Sequence, residues 1–119
     1  MSQNVIAAVD DMLFGSKIRA VAEHLGITVK FERNNDAVID AARASNPSLI
    51  IVDLHASNIN PIDLSKRLKA DNQLREISLL GFFSHVQTEL RKQAEEAGFD
   101  RLMPRSAFVA NLAEILRRG

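Results

Sequence analysis

Cysteine, tryptophan and tyrosine are all absent from the 119 residues. Without cysteine there is no disulfide frame, no thiolate metal site and no Cys nucleophile. Without tryptophan or tyrosine, the rings that usually stack on a flavin are missing. Glycine occurs five times and proline three times, scattered as punctuation, so there is no linker, low-complexity tract or internal repeat. Neither sign of charge is in excess, because fifteen Lys and Arg face fifteen Asp and Glu. That balance argues against affinity drawn mainly from nucleic-acid phosphates or anionic lipid. No apolar run approaches the roughly eighteen residues of a membrane span. Asp10 and Asp11 interrupt the apolar stretch that a signal peptide would need whole. What is present is ordinary globular material, 46% hydrophobic and 25% charged, which excludes disorder. One domain of this length buries roughly two-thirds of the surface its unfolded chain exposes. The expectation is a single soluble domain over residues 1–119, cytoplasmic, without an output domain and with neither nucleic acid nor membrane among its partners.

Short apolar runs alternate with segments of helical period. Residues 5–9 (VIAAV) read as a buried strand that stops at Asp10. Phe14, Ile18, Val21, Ala22 and Leu25 then recur as the inner stripe of an amphipathic helix, with Gly26 as its left-handed C-terminal cap. Ile27, Val29 and Phe31 alternate with Thr28, Lys30 and Glu32, the pattern of an edge strand with one polar face. Asn34 or Asn35 caps a second helix carrying Val38, Ile39 and Ala42, which ends near Asn46-Pro47. Residues 49–52 (LIIV) have no polar face, as a central parallel strand requires, and stop at Asp53. Asn60-Pro61 pairs a cap with proline at the first helical position, ahead of Leu64 and Leu68. Residues 77–83 (ISLLGFF) form the fourth strand, and Leu90, Ala94 and Ala97 mark the fourth helix before Gly98. Residues 101–103 make a weaker fifth strand. Ser106 is the expected cap of a last helix with Phe108, Leu112, Ile115 and Leu116 inside.

Five strands alternating with five helices predict an α/β fold, a five-stranded parallel sheet with helices on both faces. At this length the flavodoxin-like order 2-1-3-4-5 is the leading choice. Its switch point lies between the carboxyl ends of strands one and three, where ligands bind in such sheets. Those ends carry Asp10, Asp11 and Asp53.

Singly, an Asp after a strand is most often the cap of the next helix, and Asp11 fits that role. Together, three carboxylates on adjacent strand ends repel one another unless a cation or a proton intervenes. Hard oxygen donors without cysteine point to Mg²⁺, which keeps waters and takes one or two carboxylates plus a phosphate. The matching chemistry is phosphoryl transfer to a carboxylate, with a basic group opposite to hold the remaining oxygens.

VDDM at 9–12, LIIVDL at 49–54, LKADNQLREI at 68–77 and AGFDRLMPRSAF at 97–108 together resemble a bacterial two-component response-regulator receiver domain of the CheY-like kind. The resemblance covers the whole chain in order. It implies a stand-alone receiver in a phosphorelay, a signalling protein and not an enzyme. Asp53 falls on the phospho-accepting aspartate, with Mg²⁺ held by Asp10, Asp11, Asp53 and the backbone carbonyl of His55. A histidine kinase or phosphotransfer protein would supply the phosphoryl group. A downstream protein would be bound through the surface of helix four, strand five and helix five. Departures from the family pattern are concentrated late in the chain. The usual lysine is Arg105 and the proline after it is Ser106; Arg still contacts phosphate, though its fork is not interchangeable with an ammonium. The hydroxyl residue that closes on the phosphoryl group falls on Phe83, with Ser84 one place late, and the rotating aromatic of strand five falls on Leu102. Ser84 reaches the phosphate only if strand four slips by one residue, which turns every side chain to the other face. The loop HASNINP at 55–61 also departs from the usual proline and glycine. The alternative reading is therefore a pseudo-receiver, a constitutive docking module that works without phosphate.

Other chemistries are weaker. His24 reads as a solvent-facing helix residue, while His55 and His85 at the mouth of the acidic pocket would suit a nitrogen/oxygen transition-metal site. No G-x-S-x-G elbow surrounds Ser84, so a Ser84, His85 and Asp53 triad is not credible. No G-x-G-x-x-G follows any strand, and the acidic first loop would repel a flavin phosphate without metal.

Overall fold

In the computed structural model, residues 3–84 and 88–118 are described. Five strands, β1 (Asn4–Ala8), β2 (Thr28–Phe31), β3 (Leu49–Asp53), β4 (Ser78–Phe83) and β5 (Arg101–Pro104), pair in parallel in the order β2-β1-β3-β4-β5. The helices are α1 (Met12–Leu25), α2 (Asn35–Ser45), α3 (Pro61–Ala70), α4 (Thr88–Ala97), α5 (Arg105–Ala110) and α6 (Leu112–Arg118). The expected α/β architecture and strand order are both present.

Side-chain alternation in the strands divides the core into two layers. Ile6, Ala8, Ile50, Val52, Leu79 and Phe83 face α2, α3 and α4. Val5, Ala7, Leu49, Ile51, Leu80 and Phe82 face α1, α5 and α6. β3 is buried along its whole length, as its unbroken apolar sequence requires, whereas β2 alternates at the sheet edge. Local punctuation acts where expected. Gly26 takes φ 71° at the end of α1, Asn34 accepts from the Ala37 N–H ahead of α2, and Asn60 accepts from the Asp63 N–H ahead of α3.

The last helix differs from its expected form in two ways. It begins at Arg105, directly after Pro104, and no side chain caps it. Pro104 has φ −62°, already suited to a helix entry, so Ser106 lies inside the helix and not before it. The helix is also broken at Asn111, giving six helices among the described residues where five were expected. Asn111 donates from its side-chain amide to the Ala107 carbonyl at 2.9 Å, competing with the backbone ladder, and the chain restarts as α6 with the Ile115 N–H on the Asn111 carbonyl.

β4 carries a close approach at which a side chain would crowd its neighbours. A Cβ on Gly81 would stand 2.9 Å from Leu102, 3.0 Å from Phe99 and 3.1 Å from Leu54. Glycine here lets the β5 side of the molecule close down on β4.

Candidate functional site at the carboxyl ends of β1 and β3

The sheet order puts β1 beside β3, with Ala8 paired to Val52, so the residues that follow both strands emerge together. Asp53 is the last residue of β3 and is only 4% exposed. A carboxylate that deep must have its oxygens satisfied. Its Oδ1 accepts the His55 N–H at 2.9 Å, a tight turn that starts the loop toward α3. Its Oδ2 faces the Arg105 Nη2 at 3.6 Å.

Asp11 takes the capping role expected of it and meets a cation with its other oxygen. Its Oδ1 caps α1 by accepting the Phe14 N–H at 3.0 Å, and its Oδ2 faces the Arg105 Nη1 at 3.8 Å. Asp10 accepts the Ser57 N–H on Oδ2 at 2.9 Å, which ties the β3–α3 loop to the end of β1. Three acids therefore each hold one backbone N–H, and one guanidinium faces two of them.

Burial pushes the Asp53 carboxyl above its ordinary range. The His55 N–H bond and the charge interactions with Arg105 and with the His55 side chain pull it back, while Asp10 pushes it further up. Desolvation is the largest of these effects, which makes Asp53 a more basic carboxylate than a solvated one.

Arg105 is placed by more than charge. Its guanidinium carbon lies 4.4 Å from the centre of the Phe14 ring and 5.6 Å from that of Phe82. Phe82 is the register partner of Asp53 across β3 and β4, and it stacks on Phe108 at 4.7 Å with Phe14 at 5.0 Å. The three rings form an aromatic floor from α1, β4 and α5, and the arginine lies against it. Such contacts are worth about 0.5–2 kcal/mol, more where water is excluded. The Arg105 Nε is buried with no partner among the described residues. Neither the floor nor the Ser57 clamp was foreseen. Phe14 and Phe82 are indistinguishable in the sequence from ordinary core residues; the register of Phe82 beside Asp53 is set only by the pairing of β3 with β4.

The remaining candidates lie elsewhere or on the opposite face. Phe83 is buried in the layer facing α2, α3 and α4, with the Arg91 guanidinium 5.8 Å from its ring centre, and half-buried Leu102 packs on the same layer. Ser84 follows directly after β4 and is exposed. β4 keeps the register that sets Asp53 beside Phe82, so the slip needed to exchange Phe83 for Ser84 does not occur. His85 lies outside the described residues.

Asp10, Asp11, Asp53 and the His55 carbonyl are hard oxygen donors of the kind Mg²⁺ takes, and Mg²⁺ needs only one or two carboxylates with waters completing its shell. The donor chemistry therefore fits that ion. A ready-made cage is a different matter. Among the described residues, no group of three or more His, Asp and Glu side chains is gathered closely enough to hold a metal. The physical reason is visible at Asp11 and Asp53, whose second oxygens are turned to Arg105. The weaker alternative, a nitrogen/oxygen transition-metal site on His55 and His85, has no cluster of ligands among the described residues, and His85 lies outside them.

This is the fold of the response-regulator receiver domains, CheY-like in strand order. No protein-family model matches the chain. It is 22% identical to the polar-differentiation response regulator DivK of Brucella anthropi over 117 residues, 98% of this chain and 95% of that protein. Among solved structures it is similar to the receiver domain of the sensor histidine kinase PA1611 from Pseudomonas aeruginosa, which has a magnesium ion coordinated in its active-site cleft. That match has a TM-score of 0.85 at 17% identity, covering 99% of this chain and 97% of that one. It is also similar to the phosphorylated cyanobacterial phytochrome response regulator RcpA, with a TM-score of 0.83 at 16% identity over 98% and 90% of the two chains.

Proposed function

We propose that this chain is a receiver that accepts a phosphoryl group on Asp53 from a histidine kinase or phosphotransfer protein and acts through protein–protein contacts. The observation that carries the reading is Asp53 itself. It is a buried carboxylate at the end of the central strand, with one oxygen held by the His55 N–H and the other directed at Arg105. The His55 bond fixes the carboxylate plane, so a single oxygen, Oδ2, is presented for attack on phosphorus. As the O–P bond forms, the P–N bond of the donor phosphohistidine breaks and its imidazole leaves. Mg²⁺, held by Asp10, Asp11, Asp53 and the His55 carbonyl, would offset the charge between the two anions. Arg105 has donors to give to the phosphoryl oxygens, including an Nε with no partner among the described residues. The phosphorylated and magnesium-bound states of structural neighbours support the reading.

Incubation with a small phosphodonor and Mg²⁺, read by intact mass, tests it. The mass increment of one phosphoryl group is expected on the wild type and on Arg105→Lys, and absent from Asp53→Asn. Labelling that persists in Asp53→Asn would sink the assignment.

The second reading, a docking module indifferent to phosphate, draws on Phe83 and Leu102. Both sit in the apolar layer on the face of the sheet opposite the Phe82 side chain, and neither has a hydroxyl to draw toward a phosphoryl group. A ligand moves an equilibrium only through differential affinity for its two states. Amide NMR with beryllofluoride separates the readings. Shifts that reach α4, β5 and α5 mean a working switch on that surface; shifts confined to the acids mean a fixed docking surface.

A further inference from the structure

The carboxylate site already contains a cation of its own. Arg105 meets Asp11 Oδ2 and Asp53 Oδ2 at 3.8 and 3.6 Å, distances of charge contact and not of direct hydrogen bonds. Charge contact of this kind does not fix a long side chain by itself. What fixes it is the floor beneath, with Phe14 4.4 Å and Phe82 5.6 Å from the guanidinium carbon. Both rings belong to the packed layer that includes Phe108, Leu112 and Leu116, so the floor is rigid. An ammonium on a lysine stem is a compact, strongly hydrated charge and would not lie flat on it in the same way.

We propose that Arg105 is the resident cation of the Asp11 and Asp53 pair, that a divalent metal enters only by displacing it, and that Phe14 and Phe82 set the strength of that competition. This rests on the receiver reading for the metal's role. It goes beyond that reading in making an aromatic floor the determinant of metal affinity. A divalent ion needs oxygens that the backbone leaves available. Asp11 Oδ1, Asp53 Oδ1 and Asp10 Oδ2 already accept N–H groups, and two of the three remaining carboxylate oxygens face the guanidinium. Phe14→Leu keeps the charge of Arg105 and most of the apolar volume while removing the nearer ring face. Long-range charge alone predicts no effect from it.

Calorimetric titration with Mg²⁺ at constant ionic strength tests the competition, with amide spectra confirming that each variant is folded. Arg105→Gln is expected to bind Mg²⁺ about tenfold more tightly than wild type, and Phe14→Leu about threefold, as loss of a close opposing charge and of its anchor imply. Arg19→Gln is the control, because Arg19 lines the same mouth as Asp10 and Asp11 without an ion pair to either among the described residues. Its affinity is expected to stay within about twofold of wild type, the size of a screened surface charge. Equal affinities in wild type and Arg105→Gln, equal tightening in Arg19→Gln, or no binding by any variant would each overturn the proposal. Labelling of Asp53, measured on the same samples, keeps the two ideas apart. Labelling with unchanged affinities leaves the receiver standing and removes the resident cation. Tightening without labelling does the reverse.

Discussion

The carboxyl end of the sheet has two neighbourhoods, one strand apart and built in opposite ways. Around β1 and β3 the chain gathers Asp10, Asp11 and Asp53, each bonded to a backbone N–H, with Arg105 opposite. Around β4 and β5 it gathers apolar surface: Phe83 and Leu102 lie in the packed layer, and Gly81 has no side chain so that Leu102 and Phe99 can close on the strand. Receiving charge takes a few polar groups at a surface-facing strand end, where water and loops can adjust. Transmitting it takes a polar group able to move inside a close-packed interior, and close-packed interiors resist movement. One neighbourhood is polar and bonded to loop backbone, and the other is apolar and close-packed. The two properties are physically separable.

The largest expected break in this contrast is Phe82→Ala. It removes the ring that lies in register with Asp53, under Arg105 and against Phe108, and should cost about 3–5 kcal/mol of stability. Urea unfolding measures that loss, and Mg²⁺ affinity in the same variant should rise as the floor opens. Gly81→Ala acts on the other neighbourhood. Its new Cβ meets three side chains inside van der Waals contact, so a loss of about 1–3 kcal/mol is expected by the same measurement. No change would mean that β5 stands off from β4 with room to move.

Asp53→Asn should move stability the other way and with pH. Burial raises the Asp53 pKa in the folded state, so the folded protein keeps its proton to a higher pH than the unfolded chain. Between an unfolded value of about 4 and the raised folded value, the native state therefore binds more protons, and stability falls as pH rises. The asparagine variant does not pay that loss. It should melt above wild type at neutral pH, with the gap closing as pH drops below about 4. A wild type that gains stability through this window would show that Arg105 outweighs desolvation. The smallest effect is expected from Asp11→Asn, since asparagine caps a helix as well as aspartate does. Stability should stay within about 0.5 kcal/mol while Mg²⁺ binding weakens, which separates the two roles of Asp11.

Legibility in the sequence followed distance along the chain. The strands at 4–8 and 49–53, the Gly26 and Asn34 caps and the Asn60-Pro61 entry are events within a few residues, governed by periodicity and backbone chemistry. The end of the chain was harder to read even at short range. Ser106 has the chemistry of a cap, but Pro104 had already fixed the entry, and the Asn111 side chain broke a stripe that periodicity alone would continue. The acids at 10, 11 and 53 were legible as a set because the sheet order brings strand ends together whatever the side chains around them.

The linear pattern was enough to determine five parallel strands alternating with helices, because hydrophobic period and turn chemistry act locally; the order 2-1-3-4-5, the leading choice for such a sheet, then placed three acids at its switch point. Only the tertiary structure decided what surrounds those acids. It put Phe14 and Phe82 under Arg105 with Phe108 stacked on Phe82, tied Ser57 to Asp10, and assigned Phe82 and not Phe83 to the layer beneath the arginine. Those outcomes depend on register between strands and on helix placement over the sheet. Burial and close packing select them jointly among residues that no single segment contains.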